Sequence, residues 1–124
     1  MEKFLLISVG AIFGANTRYW ISNWAAQKFG VNFPFGTVII NLTGSFLVGV
    51  FLTLAIDRLI IDPRLRLLIV VGFFGAYTTF STYAYESFSL ISSGQWFLGL
   101  TNLFGSTILG ILAVGLGVYL GKAL

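Results

Sequence analysis

Hydrophobic residues run through this chain in four long blocks separated by short polar breaks, without the strict alternation of a half-buried strand. A bilayer core about 30 Å thick needs roughly 20 helical residues, and the blocks at about residues 4–26, 34–56, 65–92 and 95–121 meet that length. The expected fold is therefore an all-α integral membrane protein with four transmembrane helices, organised as a single transmembrane domain over residues 1–124. Lys28 closes the first block, and a short link leads to Pro34, which suits a first helical turn because its missing N–H has no partner there anyway. The connector of residues 57–66 gathers most of the charges around Asp62-Pro63 and must lie in water or headgroups, while Ser93-Gly94 makes the last turn. The apolar run at the N-terminus lacks a small-residue cleavage site followed by a soluble domain, so it is expected to remain as the first span.

The third block breaks the pattern. Between Gly72 and Glu86 it reads GFFGAYTTFSTYAYE, mixing glycine, hydroxyl residues and a carboxylate into an otherwise apolar span. Glycine and back-bonding Thr or Ser loosen a helix, and loosened backbone in lipid is tolerated only where protein or a water-filled cavity receives its N–H and C=O groups. A weak point near residues 75–79 would leave halves of about 15 and 20 Å. The third helix is accordingly expected to be broken near the bilayer midplane, where broken-helix ion sites are found.

Other polar positions fall on stripes. Thr37, Asn41 and Ser45 are spaced by four, as are Asn102 and Ser106. Each asparagine is read either as interhelical glue or as a donor lining a passage. Gly10 with Gly14, and Gly117 with Gly121, have the spacing of close helix contacts. Arg18 lies about 22 Å into the first helix. It is read either as an anchor snorkelling to the far interface or as an attractor of anions, and Asn41 enters from the same side, so the two are expected to share a vestibule. Phe80 and Tyr83, three apart, present one helical face; they are ordinary packing or a pair of positive ring edges facing an anion. Glu86 is the one acid well inside a predicted span, without an evident partner.

Composition narrows the class. Hydrophobic residues make up 57% and charged residues 9%, against about 25% charged in soluble domains. Histidine and cysteine are absent, which removes thiolate metal sites and the usual general base and argues against an enzyme. The net charge of +3 comes from seven scattered Lys and Arg, not from a stripe suited to nucleic acid. Lys3, Arg58, Arg64, Arg66 and Lys122 fall on the side of the termini and Lys28 on the other, so the positive-inside rule favours cytoplasmic termini.

The segments Gly14-Ala15-Asn16-Thr17-Arg18, Gly36-Thr37, Asn41-Leu42-Thr43-Gly44-Ser45-Phe46 and, above all, Gly72 to Tyr83 with Glu86 resemble the Fluc (CrcB-type) fluoride channel family over the whole chain. The resemblance implies a fluoride-selective channel in a prokaryotic cell (inner) membrane, assembled as an antiparallel homodimer of dual topology with two pores and a central structural sodium ion. It implies sodium-binding backbone carbonyls at Gly75 and Thr78, pore aromatics at Phe80 and Tyr83, and a pore amide at Asn41. It further implies a vestibule arginine at Arg18 and a polar track of Ser81, Thr82 and Ser106, with Asn102 at a pore-lining position. The chain departs from the usual pattern at Tyr83, where Phe is common, and at Ala76, where a second Gly is common.

The alternative is a small four-helix proton-coupled multidrug or metabolite exporter, which needs an embedded acid for its substrate. The first two blocks embed Arg18 and no acid, which favours an anion path. A non-transporting assembly protein held by its glycine faces is the third reading, and it leaves the polar stripes unexplained. Dimerisation also has an argument in the residues themselves, since four helices offer too few walls to shield Asn41, Thr78, Asn102 and Ser106 from lipid.

Overall fold

The computed structural model describes residues 1–124. Helix α1 covers Glu2–Phe29, α2 covers Phe35–Asp57, α3 covers residues 63–77, α4 covers Phe80–Ser92 and α5 covers Trp96–Ala123. Counting α3 and α4 as one span, four helices are long and apolar enough to cross a membrane. Only 18 of 124 residues are buried, and large side chains such as Phe4, Trp20, Phe88 and Leu112 point outward. In lipid such side chains carry no exposure penalty, so the inside of the bundle is held by close packing and polar contacts.

The ends of the helices follow local chemistry and differ by a few residues from the expected bounds. Gly30 stops α1 in a left-handed conformation, φ 85°, with its N–H on the Ala26 carbonyl. Pro34 caps α2 instead of entering its first turn, and its carbonyl receives the Val38 N–H. Asp62 starts α3 earlier than expected, because its carboxylate accepts the Arg64 N–H and Pro63 fits the first helical position.

Two seams of backbone contact assemble the bundle. Along α1 and α3, a Cβ added at Gly10 would collide with the Leu68 carbonyl, one at Gly14 with the Phe73 carbonyl, and one at Gly72 with the Ile7 carbonyl. Along α2 and α5, Gly49 faces the Val114 carbonyl and Gly117 the Phe46 carbonyl. Both expected small-residue pairs, Gly10 with Gly14 and Gly117 with Gly121, lie buried in these seams. Ile40, Phe74 and Tyr77 fill the centre between α2 and α3.

Three stretches, Thr53–Asp57, Leu67–Phe74 and Thr101–Gly105, are wound as wider π turns. At one end of the bundle the Arg64 guanidinium pairs with Glu2 at 2.8 Å and Arg58 donates to the Lys122 carbonyl at 2.6 Å. Both termini and the charged connector therefore share an end, opposite Lys28.

Substituting Gly14 by Val should over-pack the α1–α3 seam and cost about 1–3 kcal/mol. Gly115→Ala, whose Cβ meets nothing within 4 Å, should leave stability as it is. Thermal unfolding in detergent, followed by monodispersity, compares the two; equal melting of both variants would mean that α1 and α3 do not meet at Gly14.

Candidate functional site

The helical backbone between α3 and α4 lapses for two residues. Thr78 has φ −80° and ψ 155°, and Thr79 has φ −147° and ψ 117°. This is narrower than the expected weak point at residues 75–79, since Gly75 keeps helical angles, φ −60° and ψ −35°. Thr78 closes α3 by directing both its N–H and its hydroxyl to the Phe74 carbonyl.

Side chains from α1, from α2 and from the interruption itself take up the backbone groups that it releases. The Asn41 amide pairs with both polar groups of Thr79, donating to its carbonyl at 3.0 Å and accepting its N–H at 2.8 Å. Arg18 donates through Nε to the Ala76 carbonyl at 3.1 Å. Thr79 caps α4, its hydroxyl accepting the Thr82 N–H at 3.2 Å. In an unbroken helix the N–H of Thr79 would serve the Gly75 carbonyl and that of Thr82 the Thr78 carbonyl. Both of those donors are now directed elsewhere. Gly44 follows Asn41 by three residues on the same face, and its missing side chain admits the Thr78 methyl and the Tyr77 ring.

Two cavities flank this point. One of about 340 Å³ is lined by Asn41, Ser45, Val48, Thr78, Thr79, Phe80, Tyr83 and Val114. The Phe80 and Tyr83 rings lie there with centroids 5.8 Å apart and planes at 50°. The other, of about 270 Å³, runs toward the α1–α2 connector and includes Ser22, Thr37, Thr82 and Glu86. Thr79 belongs to the first and Thr82 to the second, and their hydroxyls are 3.0 Å apart. A hydroxyl pair thus stands between the two spaces, with the Ser81 hydroxyl 3.4 Å from that of Thr79.

Of the expected site residues, Asn41, Thr78, Phe80 and Tyr83 meet at the larger cavity, and Thr82 lines the smaller. Arg18, Ser81, Asn102 and Ser106 line neither. Arg18 and Asn41, expected in one vestibule, instead converge on backbone three residues apart. Asn102 is almost wholly buried and donates to Ser87 at 2.9 Å, while Ser106 donates to the side-chain Oδ1 of Asn102 at 3.0 Å. The Tyr83 phenol turns away from the cavity to the Leu103 carbonyl and to the Thr107 hydroxyl, the latter at 2.8 Å. The ring, and not its hydroxyl, is therefore what Tyr83 shows to the cavity.

Sequence reasoning missed several partners. Glu86 receives a hydrogen bond from Thr37 at 2.5 Å, Ser87 binds Asn102, and Thr107 meets the Tyr83 phenol. Thr79 carried a usable signal, because a Thr ahead of a helical stretch with a free N–H three residues on is the N-cap pattern. The others join positions far apart in the chain and leave no local trace.

The site contains no nucleophile and base pair, and no cluster of His, Cys, Asp or Glu able to hold a metal. Its chemistry is that of hydroxyl and amide donors with aromatic edges, groups that make weak, reversible contacts with an ion. Four apolar spans around a hydroxyl-linked pair of cavities define a multi-pass membrane protein. The family model for CrcB-like protein, Camphor Resistance (CrcB), matches residues 5–118, and the chain belongs to that family. Among bacterial relatives, a "Fluoride-specific ion channel FluC" of Chloroflexus aurantiacus is 49% identical over 98% of this chain and 97% of its own. Relatives of the same name are 48% identical in Trichormus variabilis, over 95% of this chain and 87% of theirs, and 39% identical in Aquifex aeolicus over the full length of both. Neither the family nor these names describe an enzyme, and the chain is a multi-pass prokaryotic membrane protein.

Removing the Asn41 clamp tests the architecture of the site. Asn41→Leu leaves the Thr79 N–H and C=O without partners and should cost about 2 kcal/mol or more. Asn41→Asp keeps an acceptor for the Thr79 N–H but sets a second carboxylate oxygen against the Thr79 carbonyl and brings a charge into the span, so it should be destabilised as well. Unfolding midpoints of the two variants give the comparison, and a fully stable Asn41→Leu protein would show that the clamp is dispensable.

Proposed function

We propose that this chain is a fluoride channel that lets fluoride leave the cell down its gradient. The observation that carries the reading is the hydroxyl link between two cavities in a chain 49% identical to a relative named as a fluoride-specific channel. Fluoride is small and strongly hydrated, so a path must replace its water with many contacts of which none binds too tightly. The edges of Phe80 and Tyr83, the second N–H of the Asn41 amide, and the hydroxyls of Thr79, Ser81 and Thr82 are groups of that kind. In this reading the ion passes from the aromatic cavity through the Thr79–Thr82 pair into the space beside Thr37 and Glu86. Asn102 and Ser106 on α5, bonded to Ser87 and to each other, stand behind this path as support.

The working unit is an antiparallel homodimer with two pores. Support comes from the exposure of Phe80, 79% in the lone chain, and of Gly75. A second copy, related by an axis in the membrane plane, would cover both and bring the two interruptions at Thr78 and Thr79 together near mid-membrane. A sodium ion fits there. The Gly75 and Thr78 carbonyls are among those that lose their helical N–H donors at the interruption, and neutral oxygens suit a monovalent cation better than a divalent one. The Gly75 and Thr78 carbonyls would hold it, and when bound it would supply a fixed positive charge at the interruption.

Liposomes containing the purified protein should release fluoride far faster than chloride. Phe80→Ile keeps bulk but removes the ring quadrupole, so fluoride efflux should fall by at least tenfold while the dimer still forms. Tyr83→Phe should stay active. Equal chloride and fluoride efflux would overturn the reading, and full efflux through Phe80→Ile would reduce that ring to packing.

Replacing sodium on both sides by a large organic cation should weaken the dimer and its flux. C-terminal reporter fusions should be found on both sides of the membrane. Flux and dimer stability indifferent to sodium would remove the ion, and a single reporter orientation would remove the antiparallel arrangement.

A further inference from the structure

We infer that Arg18 acts through hydrogen-bond geometry and not through its charge: it is a positioning residue that caps the end of α3. Three observations carry this. Its Nε donates to the Ala76 carbonyl at 3.1 Å across 58 residues of sequence. It lines neither cavity at the interruption. No carboxylate lies within salt-bridge distance of it, the chain's ion pair being Arg64 with Glu2.

The Ala76 carbonyl is one of the last four of α3, which no helical N–H serves in full. It stands between Gly75 and Thr78. A donor fixed on Ala76 holds the direction in which the neighbouring carbonyls leave the helix end, as Asn41 does for Thr79 on the other side of the gap. Arg18 and Asn41 come from different helices, so the interruption is gripped from α1 and α2 at once. This inference rests on the proposed fluoride channel only for its flux readout.

Side-chain length makes the distinction testable. In Gln the Nε2 group is reached through the same Cβ, Cγ and Cδ as Nε in Arg, so Arg18→Gln keeps an N–H donor at that place and loses the charge. In Lys the corresponding place is the Cε carbon, so Arg18→Lys keeps the charge and loses the donor there. Arg18→Met keeps neither.

With carbonyl-13C alanine and 15N tyrosine, the two Ala-Tyr pairs of the chain, Ala76-Tyr77 and Ala84-Tyr85, give two selected NMR signals. The cap predicts that the Ala76 signal moves in Arg18→Lys and Arg18→Met but stays near its place in Arg18→Gln, with Ala84 as the internal reference. Fluoride efflux should follow the same order, falling at least tenfold in Arg18→Lys and Arg18→Met and less than threefold in Arg18→Gln. Efflux kept by Arg18→Lys and lost by Arg18→Gln would overturn the inference in favour of charge. An Ala76 signal indifferent to all three changes would overturn it also. Because that signal does not depend on any transported ion, a protein that carries no fluoride would still answer the question.

Discussion

Inside a bilayer a peptide group has no water to turn to, and each unpaired N–H or C=O costs several kcal/mol. The extended residues Thr78 and Thr79 therefore fix what must surround them. Asn41 on α2 is a two-pronged substitute for a neighbouring backbone. Arg18 on α1 supplies a donor to Ala76, and Thr79 supplies its own cap. The glycine seams that let α1 and α2 come near serve this arrangement. Gly44 lies opposite Thr78, and Gly14 rests on the Phe73 backbone one turn before the lapse.

The same bonds separate the polar groups that are committed from those left available. Asn102, Ser87 and Ser106 are tied to one another, and the Tyr83 phenol is tied to α5. The Thr79 hydroxyl lies within reach of those of Ser81 and Thr82, Thr79 and Thr82 each line a cavity, and hydroxyl rotors can exchange partners without moving the backbone. Rigid support next to adaptable donors is a sound arrangement for an ion that must shed water and take it up again.

Hydrophobic pattern alone was enough to find the four spans, because a length of about 20 apolar residues has few other meanings. The spacing of Gly10 with Gly14 and of Gly117 with Gly121 marked both packing seams for the same physical reason: a missing side chain is visible in sequence. The polar partners were not legible in that way. Glu86 meets Thr37 across 49 residues and Arg18 meets a carbonyl whose residue, Ala76, has no polar side chain at all. A bond to backbone leaves no residue type to read at its far end, so Arg18 could be placed by depth but not by contact.

The π turn at Thr101–Gly105 gives α5 a property that a regular helix lacks. One extra residue in a turn shifts the facing of everything beyond it by about 100°. Asn102, at the start of the turn, points into the bundle toward Ser87, while Gly117, twelve residues past its end, lies against the Phe46 carbonyl. The turn thus sets the phase between a polar face and a packing face on one continuous rod. Taking one residue out of this turn would swing Gly117 and Gly121 away from α2 and toward lipid.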